Sequence, residues 1–171
     1  MGGQVNRFGR LKTPEDLFFA RLAAALRMEL TVAELADRMR SSAGNHDLAD
    51  LLRERAETAR RHVTNVEAAF RLAGKEPWER PCTGVDGLIR EGETTLRRAH
   101  PDLRDATIVA SARAILAYGA ATYATLLDLA GALGAHDVVV LLRENFDDQN
   151  DAGVAIGTLA GTLTPARRTY A

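Results

Sequence analysis

Apolar residues recur every three or four positions along most of the chain, the spacing that places them on one face of an α-helix. Thr13 followed by Pro14, Glu15 and Asp16 is a helix-start signature, because threonine can accept from free backbone N–H groups and acids favour the first turn. The pattern predicts one short and four long helices, at residues 14–40, 46–73, 85–99, 103–133 and 135–163. Long helices with short connections are typical of a four-helix bundle, so we predict an all-α fold.

Glycine and proline residues separate the predicted helices and set the limits of the domain. Gly74 and Gly134 suit the position after a helix C-terminus, and Pro101 interrupts the chain before the third long helix. Asp102 is expected to cap the helix that follows. The chain is predicted to divide into a disordered N-terminal segment, the bundle and a flexible tail, at residues 1–12, 13–163 and 164–171.

One stretch of the third long helix, Ala114–Leu127, carries no charged side chain on any face. A helix that is apolar all round is buried on more than one side, and in a small domain we expect the second side to meet another subunit. The pattern therefore predicts a homodimer. At 14 residues the stretch is shorter than the roughly 20 that span a bilayer, and the N-terminus has no signal-peptide core, so we expect a cytoplasmic protein without a membrane partner.

The composition agrees with a helical globular domain and narrows the classes of partner. Hydrophobic residues make up 46% of the 171 positions and aromatic residues only 5%, and this length suffices for one core. The 22 basic and 23 acidic residues give a net charge of −1, so no basic excess predicts a nucleic-acid partner. Cys82 is the single cysteine, which excludes an intramolecular disulfide, and we expect it in a loop without a chemical role.

Polar side chains interrupt the apolar face of each long helix, where a helical bundle builds its sites. In chain order these residues are Glu29, Arg55, His62, Tyr118, Thr122, Tyr123, Asn145, Asp148 and Gln149. Buried ionisable groups are costly unless they are paired, so their convergence predicts a polar pocket in the middle of the bundle. Two other interpretations stay open: Glu29 pairs with Arg55 or Arg113 and has no chemical role, and His62 is a hydrogen-bonded core histidine.

Several segments resemble the YciE/YciF-like ferritin-like proteins. The resemblance is carried by Thr-Pro-Glu-Asp-Leu-Phe at 13–18, Gly-Leu-Ile-Arg-Glu-Gly-Glu at 87–93 and Asp-Leu-Arg-Asp-Ala at 102–106. Residues 117–126 are similar to the third long helix of that family, and the likeness covers about residues 13–160. It implies a ferritin-like antiparallel four-helix bundle with one crossover, usually dimeric, with a di-metal carboxylate centre and a link to bacterial stress.

The metal-ligand positions that the resemblance implies are largely altered on the first two long helices. The first-helix acid falls on Arg21, although Glu29 matches a retained acid. The His-x-x-Glu pattern of the second helix falls on Arg55 and Thr58, while His62 stands where histidine is common. An arginine near such a site would repel a divalent ion.

The third long helix departs further from the family. The family pattern Glu-His-Tyr-Glu falls on Leu116, Ala117, Tyr118 and Gly119, whereas Glu144 and Asp148 match acids of the last helix. A pair of metal ions needs several carboxylates to neutralise its charge. We therefore predict that the di-metal centre is lost, that no metal or other cofactor is bound, and that the vacated core leaves a cavity for an organic molecule.

The sequence does not decide between a ligand-binding protein and a structural one. In the first hypothesis a small organic ligand binds in the vacated core, and catalysis of a cofactor-independent reaction there, such as a cyclisation or an isomerisation, stays open. The acid–base candidates are Glu29, His62 and Asp148. The ligand-binding candidates are Arg55, Thr58, Leu116, Tyr118, Gly119, Thr122 and Asn145.

Two alternatives stay open beside it. The first is a non-catalytic, stress-associated structural dimer with a solid core and the uncharged helix as its interface. The second is a residual mononuclear or di-metal carboxylate oxidase, with an ion held by Glu29, His62, Glu144 and Asp148. A cavity of several hundred Å³ would argue against the structural dimer.

Overall fold

The computed structural model describes residues 10–163, which form five α-helices and one 3₁₀ turn. The predicted flexible tail, residues 164–171, lies outside the described residues. Most of the segment predicted to be disordered, residues 1–12, lies outside them as well. The helices are α1 (Pro14–Ser42), α2 (His46–Leu72), α3 (Thr83–Arg98), α4 (Arg104–Ala132) and α5 (His136–Leu163), with the 3₁₀ turn at Pro101–Leu103. The predicted all-helical bundle with a short extra helix in its crossover is thus confirmed.

The four long helices form an antiparallel bundle in which α1 packs on α2 and α4, and α5 packs on α2 and α4. The backbone N–H of Gly44 donates to Asp105 Oδ1 at 2.8 Å, so α4 begins beside the turn between α1 and α2. Each neighbouring pair of long helices therefore runs in opposite directions. Helix α3 packs against α4 and returns the chain from the end of α2 to the start of α4.

The helix ends follow the capping chemistry of the sequence in most places. Thr13 accepts from the backbone N–H of Asp16 and Asp16 accepts in return, which completes a capping box. Gly74 and Gly134 have φ angles of 72° and 68°, in the left-handed region that glycine tolerates best. The expected cap at Asp102 is wrong, because residues 101–103 form a 3₁₀ turn and α4 starts after Leu103 without a side-chain cap.

Cys82 lies in a loop, as the sequence predicts. It stands directly before α3 and is buried, with its Sγ 3.5 Å from the hydroxyl of Tyr118, so it belongs to the packing between α3 and α4. Gly84 and Gly92 allow this packing, because a Cβ at either position would overlap Tyr118 or Ser111 on α4.

Helix α4 is the most apolar of the long helices, yet its uncharged stretch is not covered on every side within the described residues. Ile115, Tyr123 and Leu126 face the core, while the outer face exposes small side chains at Ala114, Ala117, Ala121 and Thr125. By length and hydropathy the segment Pro101–Ala132 could cross a membrane. Its packing against α1, α3 and α5 accounts for much of that apolar character.

Candidate functional site

A fully buried carboxylate, that of Glu29 on α1, is the centre of the polar groups in the bundle. Its Oε1 accepts from the Tyr123 hydroxyl at 2.9 Å and from Gln149 Nε2 at 2.9 Å, and it lies 3.1 Å from His62 Nδ1. Its Oε2 accepts from Arg55 Nη2 at 3.1 Å. Helices α2, α4 and α5 therefore all direct donors at one α1 carboxylate, which offsets the cost of burying its charge.

These contacts fix the charge states of the central pair. Burial alone would raise the pKa of Glu29, but the charge of Arg55 and the hydrogen bond and charge of His62 outweigh burial and lower it. Burial and the neighbouring Glu29 charge raise the pKa of Tyr123 well above its ordinary value. The carboxylate is therefore ionised and the phenol neutral, so Tyr123 acts as a hydrogen-bond donor.

The imidazole of His62 joins the buried carboxylate to a second one nearer the surface. Its Nε2 lies 3.0 Å from Asp148 Oδ2, opposite the Nδ1 that faces Glu29. Burial alone would raise the pKa of Asp148, but hydrogen bonds from His62 and Arg61 and the Arg61 charge lower it. Both ring nitrogens of His62 therefore face carboxylate oxygens, one on α1 and one on α5.

An outer ion pair completes this chain of charges. Arg61 donates through Nη2 to Asp148 at 2.7 Å and through Nε to Glu144 at 3.2 Å. Glu144 and Asp148 lie one turn apart on the same face of α5, which allows one arginine of α2 to reach both. We call the set Glu29, Arg55, Arg61, His62, Glu144 and Asp148 the ionic network; it contains three acidic side chains, two arginines and one histidine.

Side-chain amides support the ionic network from α2 and α5. Asn145 Nδ2 donates to the Tyr123 hydroxyl at 3.1 Å and to the backbone carbonyl of His62 at 3.4 Å. Asn65 Nδ2 donates to Asn145 Oδ1 at 2.8 Å. Asn145 is thus a positioning group for the tyrosine and the histidine, and its amide hydrogens are directed at protein atoms.

The space beside Gly119 is filled by Gln149. A Cβ built on Gly119 would lie 2.8–2.9 Å from the side-chain amide of Gln149, closer than real side chains approach. A carboxylate at position 119, which the family resemblance implies, is therefore incompatible with Gln149 as it stands. The space beside Gly119 holds the Gln149 amide, which donates to Glu29.

The donor set does not fit a di-metal carboxylate centre. Among residues 10–163, no group of three or more His, Cys, Asp or Glu side chains is placed to hold a metal ion. Glu29 and Asp148 lie on opposite nitrogens of His62, so the three side chains cannot face one ion. Arg55 adds a fixed positive charge on the remaining Glu29 oxygen, where a cation would have to bind.

A cavity of about 290 Å³ lies next to the ionic network, between the four long helices. Its wall is mainly apolar and includes Val32, Leu52, Leu116 and Ile156, one from each helix. Its polar lining comes from α2 and α5, through Glu54, Arg55, Thr58, Asp148 and Asp151. The cavity and the ionic network therefore meet at two side chains, Arg55 and Asp148.

The predicted site residues divide into three groups. Arg55, Thr58, Leu116 and Asp148 line the cavity. Glu29, His62 and Asn145 are fully buried in the polar centre, and Gly119 lies there against Gln149. Glu29, His62, Asn145 and Gly119 are not part of the cavity wall. Their roles in binding or catalysis stay predictions.

Tyr118 and Thr122 lie away from both the cavity and the ionic network. Burial and the neighbouring Cys82 raise the pKa of Tyr118 to about 12, and its hydroxyl faces Cys82 beside α3. Thr122 donates to the backbone carbonyl of Tyr118 within α4. Ala117, expected to line the vacated space, is exposed on the outer face of α4 instead.

Sequence reasoning missed Arg61 and Asn65 and did not include Gln149 among the ligand-binding residues. Arg61 is half exposed and does not interrupt the apolar face of α2, so the hydrophobic pattern does not mark it as a site residue. The i, i+4 spacing of Glu144 and Asp148 was the available signal, since two acids on one helix face attract a basic partner. Gln149 was visible on the apolar face, but its contact with Gly119 depends on tertiary structure.

Comparison with known proteins gives consistent matches. The family model described as "Domain of unknown function (DUF892)" matches residues 13–168. Protein YciF of Escherichia coli (strain K12) is 23% identical over 152 residues, which cover 88% of this chain and 92% of that protein.

Two solved structures superpose closely on the bundle. YcfI of Rhodopseudomonas palustris has a TM-score of 0.85 and 31% identity, over 88% of this chain and 98% of that one. The crystal structure of the E. coli stress protein YciF has a TM-score of 0.84 and 22% identity, over 90% of this chain and 98% of that one.

Proposed function

The chain belongs to the DUF892 family, and from that premise we propose that it is a ferritin-like bundle protein that has lost a di-metal centre and binds a small organic molecule in its core. The observation that carries the proposal is the apolar cavity of about 290 Å³ between the four long helices. The cavity opens to solvent beside Glu54 and Asp151, and a concave, mainly apolar space of this size favours a binding role over a purely structural one.

The size of the cavity bounds its ligand. An apolar cavity of about 150 Å³ in another protein holds benzene, so this space suits a molecule of roughly twice that volume. Ligand pockets usually begin at about 300 Å³ and combine apolar walls with a few polar groups. Leu52, Leu116 and Ile156 provide such a wall, and Arg55 and Thr58 provide polar groups.

The loss of the metal centre is supported by what occupies its place. The guanidinium of Arg55 neutralises Glu29, and Gln149 fills the space against Gly119. His62 uses both nitrogens on carboxylates. Each group that a metal would recruit is already engaged by another protein group.

The same geometry favours binding over acid–base turnover. Glu29 holds its charge against four donors, which makes it a weak base, and it does not line the cavity. Of the three acid–base candidates only Asp148 reaches the cavity wall. A cofactor-independent cyclisation or isomerisation would therefore depend on Asp148, with the imidazole of His62 3.0 Å behind it.

The setting of this activity is proposed from the relatives and from α4. YciF is described as a stress protein, and we extend a role in bacterial stress to this chain, in the cytoplasm. A homodimer would use the exposed small side chains of α4, Ala114, Ala117, Ala121 and Thr125. Sedimentation at micromolar concentration should give a mass near twice 18.5 kDa, and a mass of 18.5 kDa would contradict the dimer.

The binding proposal is tested with an apolar probe. Ethylbenzene is titrated into the labelled protein, and the methyl resonances of Val32, Leu116 and Ile156 are followed by NMR. We expect saturable shifts at these methyls, and no shifts in Ala152→Phe, which fills the cavity wall. The control Val140→Phe adds the same ring at an exposed position of α5, outside the cavity wall and the proposed dimer face, and should bind as the wild type does. Binding that survives Ala152→Phe, or no binding to the wild type, would contradict the proposal.

A further inference from the structure

Arg55 has hydrogen-bonding capacity that the protein does not use. Its side chain is 10% exposed and lines the cavity, while Nη2 donates to Glu29 at 3.1 Å. Its Nε is buried and has no acceptor among the described residues. Leaving a buried donor without an acceptor is unfavourable, and for a charged group more so. The arginine therefore lines the apolar cavity and holds a buried, unsatisfied donor.

A second donor lies beside it. Thr58 follows Arg55 by three residues, so both side chains are on one face of α2, and both line the cavity. A guanidinium has only donors, and a hydroxyl can donate as well as accept. The polar part of the α2 wall is thus suited to a ligand that brings an acceptor.

The charges around the cavity select the kind of acceptor. Glu29 already neutralises Arg55, and Arg61 pairs with Asp148. The other acids of the lining, Glu54 and Asp151, are exposed, and Glu54 lies 4.0 Å from Arg53, so an anionic ligand meets acids and no unpaired cation of the lining. A cationic ligand would bring donors to the unsatisfied donor of Arg55. An uncharged oxygen acceptor satisfies the arginine without either penalty.

We propose that the cavity binds an uncharged, mainly apolar carbonyl compound, whose oxygen accepts from Arg55 with Thr58 as a second donor. This inference rests on the proposed binding function and names the chemical class of its ligand. Because Nε is covered by neighbouring atoms, binding requires the guanidinium to turn so that Nε faces the cavity while Nη2 stays on Glu29. The apolar body of the ligand then packs against Leu52, Leu116 and Ile156.

The test compares two probes of nearly the same shape. Acetophenone carries a carbonyl where ethylbenzene carries a methylene group. Water solvates acetophenone more strongly than ethylbenzene, so acetophenone should bind less tightly than ethylbenzene unless the cavity supplies a hydrogen bond. We expect acetophenone to bind about fivefold more tightly, the effect of roughly one hydrogen bond. The Nε–H resonance of Arg55 should shift with acetophenone and stay in place with ethylbenzene.

Two variants separate the hydrogen bond from the shape of the cavity. Arg55→Lys keeps the charge beside Glu29 but removes Nε and the planar guanidinium, so acetophenone should lose its fivefold advantage. Thr58→Val keeps the shape of the side chain, should weaken acetophenone by a few-fold and should leave ethylbenzene unchanged. The melting temperature of each variant confirms that it is folded.

The outcomes distinguish this inference from the binding proposal. If ethylbenzene binds and acetophenone binds more weakly, or if Arg55→Lys leaves their ratio unchanged, the carbonyl inference is wrong and the cavity still binds ligands. If benzoate or 1-phenylethylamine binds more tightly than acetophenone, the ligand class is anionic or cationic and the inference is again wrong. If no probe binds, both proposals fail.

Discussion

Replacing Glu29 by glutamine is the most informative single change to the ionic network. The substitution keeps the size of the side chain and removes its charge. The amide oxygen can take the place of Oε1 and accept from His62, Tyr123 and Gln149. The NH₂ group then lies where Oε2 was, with its hydrogens against Arg55 Nη2 at a distance of about 3.1 Å. The N–H groups of the amide then face the N–H groups of Arg55, with no acceptor between them. Arg55 and His62 also lose the carboxylate that both of them contact.

The expected cost is large. Removing one partner of a buried ion pair destabilises a protein by about 3–5 kcal/mol, because the other charge is left uncompensated. For a domain of this length, each kcal/mol lowers the melting temperature by roughly 2–4 °C, so Glu29→Gln should lower it by about 6–20 °C. Circular dichroism during heating and during urea titration gives the two quantities independently.

A surface pair provides the control. Glu79 pairs with Arg27 at 3.4 Å, and both side chains are about half exposed, at 48% and 50%. Glu79→Gln removes the same charge in water and should cost about 0–1 kcal/mol. If Glu29→Gln were within about 1 kcal/mol of the wild type, the account of a buried anion held by four donors would be wrong.

Three further predictions concern the same centre. Folding lowers the pKa of Glu29 and Asp148 from ordinary values of 4.5 and 3.8. The stability that these carboxylates contribute is therefore complete above those values and is lost as the pH falls through the lowered folded values. Urea titrations should show a smaller cost of Glu29→Gln at pH 3 than at pH 7, and an equal cost would contradict this. Tyr123→Phe removes a donor to an ionised group and should cost about 1.5–3 kcal/mol in urea unfolding, whereas no loss would mean that the 2.9 Å contact is not a stabilising hydrogen bond. Gly119→Ala should cost about 1–3 kcal/mol by overpacking against Gln149, and the cost should disappear in a Gln149→Ala background; a cost that persists there would exclude the contact as its cause.

Most of the fold could be predicted because its signals are local. Thr13 caps α1 and Gly74 and Gly134 end α2 and α4, so each long helix was placed within about two residues. The start of α4 was harder, because residues 101–103 continue into a 3₁₀ turn in place of the expected cap at Asp102. The burial of Cys82 depends on α3 lying against α4, a contact between segments distant in sequence.

The candidate site could be predicted only in part. Glu29, His62 and Asp148 interrupt apolar faces, which marks them as polar groups in the core. Their order, with His62 between two carboxylates, depends on how α1, α2 and α5 pack, and one-dimensional spacing does not contain it. The pairing of Glu29 with Arg55, left open from the sequence, is present in the structure at 3.1 Å.

The position of the cavity also required the three-dimensional structure. Deleted ligand side chains suggested space around Leu116, Ala117 and Gly119. Gln149 fills the space at Gly119 and Ala117 faces outward, so of these three positions only Leu116 borders the cavity. A side chain of one helix can fill the space beside a small residue of another, as Gln149 does at Gly119. A single sequence does not show which side chain fills such a space.

The proposed loss of the metal centre implies that the ionic network leaves no place for a bound ion. The most direct test is elemental mass spectrometry on protein purified without chelators, offered excess Fe(II), Mn(II) and Zn(II), and then separated from free metal. The account predicts a stoichiometry near zero for all three metals, in the wild type and in Glu29→Gln alike. Two ions per chain in the wild type, lost in Glu29→Gln, would contradict the account and establish a working di-metal centre.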